Sequence, residues 1–220
     1  MRINKLIAVH TTLSRRAADQ LVAEGRVTIN DREARIGQSV QDNDVISIDG
    51  KQLARQNQHT AAVKLNKPTG YVCSRRGQGA PTIFQLLPAS LQSLQPAGRL
   101  DKDSSGLMIL SSDGDLLQRL THPRFNKQKV YQVELNKPLK NADEQRLKSG
   151  VELDDGLSRM RISTHANRKQ VQATLSEGRN RQIRRTFKAI GYDVVSLHRT
   201  SIDDIQLGSL KSGAWQKIET

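Results

Sequence analysis

Residues 96–110 read Pro96-Ala-Gly-Arg-Leu-Asp-Lys-Asp-Ser-Ser-Gly-Leu-Met-Ile-Leu110. Two acids, an arginine and two serines thus share a glycine-framed loop that runs directly into an apolar strand, a setting suited to chemistry. From spacing alone, Asp101 and Asp103 read as turn residues that satisfy backbone donors. Ser104 and Ser105 invite a serine-hydrolase reading, but Gly-x-Ser-x-Gly is absent and no local base accompanies them. The glycine patterns of dinucleotide-binding and Walker loops are absent too.

Outward from this loop, strands are predicted at residues 61–65, 106–111, 129–135, 159–164 and 170–176, and helices at 115–120, 142–149 and 181–190. Pro68 and Gly70 force a turn, and residues 81–88 form a short helix bounded by prolines. Short helices among mostly non-alternating strands point to an α+β fold with a mixed, mainly antiparallel sheet.

A smaller unit precedes it. Ile3, Leu6, Ile7 and Val9 recur at helical spacing; Ser14 then supplies an N-cap for a helix over 15–24 with Ala17, Ala18, Leu21 and Val22 on one stripe, closed by Gly25. Strands follow at 27–29 and 44–48. Residues 51–60 are polar with one isolated leucine and read as a linker. The expected division is 1–55, a linker at 56–61, and 62–220.

The 220 residues carry 35 Lys and Arg against 22 Asp and Glu, a net charge of +13, which calls for a polyanionic partner. No apolar run is long enough for a membrane span, and the apolar stretch at the start is too short for a signal peptide, so a cytoplasmic protein is expected. The one cysteine, Cys73, forms no intrachain disulfide and reads as a packing residue. The five histidines show no ligand spacing, so no metal site is predicted. Only 3% of residues are aromatic, which argues against a stacking platform for single strands.

Two sets of motifs carry a family resemblance. Arg2-x-Asn-Lys5-x-Ile7, Ser14-Arg15-Arg16-x-Ala and Gly25-Arg26-Val-Thr-Ile-Asn30 resemble the alpha-L RNA-binding domain of the ribosomal protein S-four type. The resemblance makes Arg2, Lys5, Ser14, Arg15, Arg16 and Arg26 RNA contacts, through the shape and phosphates of folded RNA rather than through bases. Gly98 to Gly114 is similar to the catalytic motif of bacterial pseudouridine synthases of the RsuA type, which act on ribosomal RNA. Leu65-Asn-Lys-Pro-Thr-Gly-Tyr-Val-Cys73, Thr121-His-Pro-Arg124, Lys129-Val-Tyr-Gln-Val133 and Glu177-Gly-Arg-Asn-Arg-Gln-Ile-Arg-Arg185 agree in order and spacing.

The resemblance implies Asp101 as nucleophile, Arg184 as its cationic partner, Tyr131 as the ring against the target uracil, Ile183 beneath the base, and Arg99 and Lys67 as further substrate contacts. It implies no cofactor, since the reaction adds and removes no atoms. Where the family has methionine this chain has Thr186, at a packing position. Arg179, Arg181, Arg185 and Lys188 form a second cationic cluster; no acid lies between Gly178 and Lys188, so their face is expected to meet phosphate. The last motif looks more like members acting on large-subunit RNA. A monomer acting on ribosomal RNA or an assembly intermediate is expected. The competing reading is a non-catalytic RNA-binding assembly factor that keeps the fold.

Overall fold

The computed structural model describes residues 1–11, 13–55, 60–77 and 79–218. The chain divides into two compact units, Met1–His59 and Thr60–Thr220.

In the first unit, helices α1 (Ile3–His10) and α2 (Arg15–Ala23) pack on strands β1 (Val27–Ile29), β2 (Arg32–Glu33), β3 (Ile46–Ile48) and β4 (Lys51–Gln52), which form an antiparallel sheet in the order β2-β1-β3-β4. Ser14 Oγ accepts the Ala17 amide at 3.1 Å and so starts α2. Ile3, Leu6 and Ile7 of α1 meet Ala18 and Val22 of α2 over Val27, Ile29 and Ile46. Two expectations are corrected. The strand expected over 44–48 begins at Ile46, because Asp44 spends its carboxylate on the Asn30 side chain and the Gln41 amide. Residues 51 and 52, read as linker, are the edge strand β4, turned back on β3 by Asp49 and Gly50 at positive φ. Both β4 residues are exposed, so no alternation announced it. The linker expected at 56–61 falls largely on residues 56–59, outside those described.

The second unit is built on strands β5 (Ala62–Lys67), β6 (Gln95–Pro96), β7 (Ser105–Ser111), β8 (Lys129–Leu135), β9 (Arg161–Thr164), β10 (Gln170–Leu175), β11 (Val194–Ile202), β12 (Ile205–Gln206) and β13 (Trp215–Lys217). The sheet runs β13-β5-β7-β11-β8-β10-β9, with β6 added to β7 and β12 to β11. Among the described strands of this sheet only β7 with β11 is parallel, so the sheet is mixed and mainly antiparallel as expected. Helices α3 (Gly114–Thr121), α4 (Asn141–Ser149) and α5 (Gln182–Ala189) flank it. The helix expected at 81–88 is a single 3-10 turn, Ile83–Leu86, capped reciprocally by Thr82 and Gln85.

Strand β7 has apolar residues on both faces, since alternate side chains point to opposite sides. Met108 and Leu110 enter the larger core with Val63, Leu65 and Val133; Leu107 and Ile109 enter a smaller one with Leu120 of α3 and Ile202. Strand β11, nine residues at the centre of the sheet, was not anticipated. Its sequence mixes Ser, His, Arg and Thr with aliphatics, and these polar groups find partners inside the sheet: His198 with Ser105, Arg199 with the Leu107 carbonyl, Thr200 with the Val130 carbonyl. Where β11 runs parallel to β7, a Cβ at Gly106 would lie 2.3 Å from the Arg199 carbonyl oxygen, so this crossing requires glycine. Among the described residues no helix is long and apolar enough to cross a membrane.

Candidate active site

The loop that precedes β7 is held from beneath. Lys67, at the end of β5, is fully buried, and its Nζ donates to the carbonyls of Pro68 (3.0 Å), Asp101 (3.0 Å) and Ser104 (2.6 Å). Burial pushes its amine below the usual lysine range. Cys73 Sγ accepts the Leu100 amide and donates to the Leu100 carbonyl, both at 3.3 Å, and the Gly70 amide reaches the Lys102 carbonyl at 2.7 Å. Three charge-assisted bonds to backbone oxygens fix the loop more firmly than packing alone. Lys67, expected as a substrate contact, has no exposed surface and does not line the pocket around Asp101; its amine is spent on Pro68 and on the two loop carbonyls of Asp101 and Ser104.

Above the loop lies a pocket of about 250 Å³ lined by Arg99, Asp101 and Ser104 from the loop, Tyr131 from β8, Ile183 from α5 and Leu197 from β11. Residues far apart in sequence thus share one concavity. Tyr131 is 7% exposed, and in the sheet it sits opposite Ala173 on β10 and Arg199 on β11. Arg199, which sequence reasoning did not single out, is 2% exposed. Its Nε donates to the Leu107 carbonyl at 2.7 Å, and its guanidinium carbon lies 6.0 Å from the centre of the Tyr131 ring. Ser104 Oγ is also buried, and no described residue hydrogen-bonds to it. A hydroxyl dried by the protein and left without a partner is costly unless something else supplies the bond.

The cation beside Asp101 is Arg181, with Nη1 at 3.7 Å from Oδ2. Arg184 instead donates from Nη2 to the Asp103 carbonyl (2.8 Å) and from Nη1 to the Val194 carbonyl (2.9 Å), and its Nε lies 3.4 Å from Asp103 Oδ2. The expected pairing of Arg184 with Asp101 is thus absent among the described residues, and Arg184 is not in the lining of the pocket. The cause is local: α5 begins at Gln182, and Arg181 before it is left-handed (φ 46°), which swings its side chain off the helix face and back toward the loop. There it forks onto Asp103 at 2.9 and 2.7 Å. The hydrogen bonds from Arg181 hold the Asp103 carboxyl below the usual carboxylate range, with Arg184 adding to the effect.

The rest of the second cationic cluster is also compensated. Arg179 bonds the carboxylates of Asp155 and Glu177 and the carbonyls of Asp155, Gly156 and Leu157. Arg185 forks onto Asp155 at 3.0 and 2.7 Å, and Lys188 pairs with Asp193 at 2.9 Å. The acids missing from the local sequence are brought in by the fold from residues 103, 155 and 193. In the first unit Arg26 is forked onto Asp49 and paired with Glu24, whereas Arg2, Arg15 and Arg16 meet no carboxylate among the described residues. Lys5 lies half-buried on α1, and the Ser14 hydroxyl accepts the cap bond.

The base that the two serines lacked is present in space: His198 Nδ1 lies 2.8 Å from Ser105 Oγ. Burial pushes this imidazole below its usual value. No described carboxylate orients it, and neither residue lines the Asp101 pocket, so the pair ties β7 to β11 without the geometry of a triad. Among the described residues no group of three or more His, Cys, Asp or Glu could hold a metal ion.

Comparison with known proteins meets this geometry. Residues 62–189 match the model of the RNA pseudouridylate synthase family, and residues 1–46 match the S4 domain. An uncharacterized RNA pseudouridine synthase of Aquifex aeolicus is 34% identical, aligned over 99% of this chain and 90% of its own length. Ribosomal small subunit pseudouridine synthase A of Escherichia coli is 35% identical over 94% of this chain and 91% of its own. The dual-specificity RNA pseudouridine synthase RluF of Escherichia coli is 31% identical over 99% of this chain and 75% of its own. A crystal structure of a pseudouridylate synthase superposes with a TM-score of 0.72 at 32% identity, covering 100% of this chain and 96% of that one. With a loop aspartate, a buried tyrosine and an S4 domain ahead of them, this chain belongs to the RNA pseudouridine synthase family, a family of isomerases.

Proposed function

We propose that this enzyme converts one uridine of ribosomal RNA to pseudouridine with Asp101 as nucleophile. The reaction breaks the bond from N1 to C1′, turns the uracil and rejoins it through C5; N1 gains a proton, C5 loses one, and the composition is unchanged. The supporting observation is that Arg99, Asp101, Tyr131 and Ile183, drawn from a loop, a strand and a helix, line one pocket of about 250 Å³. The Arg181 guanidinium, 3.7 Å from Asp101 Oδ2, is the cation that faces this carboxylate. The target base must leave its stack to reach Asp101, at about a few kcal/mol. Tyr131 and Ile183 offer it apolar faces, and Arg99 a cation for the displaced strand. Arg184 acts one step back, steadying Asp103 and the loop.

Large-subunit RNA is the first reading of the substrate, supported by the Gly178-Arg-Asn-Arg-Gln-Ile-Arg-Arg185 motif, which looks more like that of members acting on it. Small-subunit RNA is the second reading, favoured by the 35% identity to a relative named for that subunit. Mapping pseudouridines in both RNAs from cells lacking the gene, beside cells carrying Asp101→Asn, decides both points. One site is expected to vanish in both strains, and its position names the subunit. Full modification in the Asp101→Asn strain would end the nucleophile assignment and leave the reading of a non-catalytic RNA-binding factor.

A further inference from the structure

The cations along α5 and those at β9 differ in what they hold. Those on and before α5 each hold a carboxylate, as described above. Arg159 and Arg161, at the edge strand β9, do not. Arg159 Nε donates to the Ser149 carbonyl at 2.9 Å, and Arg161 Nη2 to the Gln128 side-chain oxygen at 2.6 Å. Both are exposed, and neither meets a carboxylate among the described residues. With Lys148, which is paired to Glu144, they line a groove of about 260 Å³ that has no acid in its lining. Leu175 lines both this groove and the Asp101 pocket, so the two are neighbours that share a wall residue.

An arginine already forked onto a carboxylate must release it before taking a phosphate; one bound only to neutral oxygens keeps its charge available. We infer that the β9 groove carries the sugar-phosphate backbone of the RNA strand next to the target uridine, with Arg159 and Arg161 on its phosphates. This rests on the reading of the Asp101 pocket as the place where the base enters. Contacts of this kind set register and orientation without reading bases. A protein strand pairing with the open edge of β9 is the rival occupant, and cationic side chains on an edge strand work against such pairing.

The test uses the full-length protein, 16S and 23S ribosomal RNA transcripts as probes, and the double variant Arg159→Glu with Arg161→Glu. Filter binding over a salt series is expected to show affinity at low salt reduced at least about tenfold. The slope of log affinity against log salt should be shallower by roughly 1.4, two phosphates at about 0.7 each. Arg185→Ala, which removes a compensated cation, should change affinity less than about threefold. Wild-type affinity and slope in the double variant would overturn the assignment, as would an equal loss from Arg185→Ala. Self-association that disappears in the double variant while RNA affinity holds would give the edge to protein pairing instead. Thermal melting controls for folding, and a double variant that melts early is replaced by Arg159→Gln with Arg161→Gln, judged by the same slope. Binding is read without turnover, so a parent protein that forms no pseudouridine refutes the catalytic reading, while the groove stands or falls separately on its salt slope.

Discussion

Two sets of cations lie in the unit that carries the Asp101 loop, and they are used in opposite ways. Beneath it, Lys67 and Arg199 are 0% and 2% exposed and spend their charge on neutral acceptors: three carbonyls for Lys67, a carbonyl and the Met108 sulfur for Arg199. Before and along α5, Arg181, Arg185 and Lys188 are exposed or half-buried and spend theirs on carboxylates, Arg181 on Asp103 of the loop itself. A buried cation without a counter-ion is tolerated only where the geometry of its hydrogen bonds is complete, and in return it fixes backbone. An exposed ion pair holds little and exchanges partners easily. The loop carrying Asp101 is thus rigid from below and adjustable from the side, which suits a site whose base must be admitted before it is gripped.

The largest effect that could break this contrast belongs to Lys67. Lys67→Met fills the same volume but leaves three carbonyls facing an apolar side chain. At about 1 to 3 kcal/mol for each orphaned group, offset in part by no longer burying an amine, a net loss of about 3 kcal/mol is expected. Urea unfolding measures it, with turnover falling further than stability because Asp101 loses its anchor. A variant as stable and as active as the parent would mean that the loop is held by packing alone.

The smaller effect belongs to Asp155, which holds both Arg179 and Arg185. Asp155→Asn keeps the shape and removes the charge, so Tm should fall by only about 2 °C. Affinity for RNA should rise about two- to threefold as the freed guanidinium of Arg185 becomes available to phosphate. A drop in affinity would place Asp155 on the RNA-binding side of the balance and erase the distinction between compensated and available cations.

What the sequence disclosed follows the same division. The strands β7 and β8 near Asp101, and α2 in the first unit, are legible because their signals are local: the apolar run of β7, the tyrosine in its strand motif, the Ser14 cap. Contacts between distant segments are not. Strand β11 was hidden because its polar residues are satisfied by β7 and β8, and Asp103, Asp155 and Asp193 lie outside the stretch whose lack of acids suggested an open cationic face. Lys67 reads in sequence as a substrate contact because a lysine in a motif looks the same whether it points toward a pocket or away from it. Only the fold distinguishes a side chain aimed at substrate from one aimed at the carbonyls beneath it.

The finest test concerns Asp103, the carboxylate shared by Arg181 and Arg184. Its carboxyl is held below the ordinary 3.8, first by the hydrogen bonds from Arg181. The sign of the linkage follows: a carboxyl whose folded value is depressed contributes stability that is complete above the unfolded value and disappears as pH falls through the folded one. The Arg181–Asp103 fork should therefore persist unchanged from neutrality to about pH 4 and open only in stronger acid. Because the Asp103 side chain is 47% exposed, solvent screening keeps the contribution to stability small. Carbon-detected NMR of the Asp103 carboxyl measures the midpoint, and Arg181→Leu should move it upward toward 3.8 while Arg184→Leu moves it less. Equal shifts from both variants would make the two arginines equivalent supports of the loop, and the adjustable side of the site would then extend across the whole start of α5.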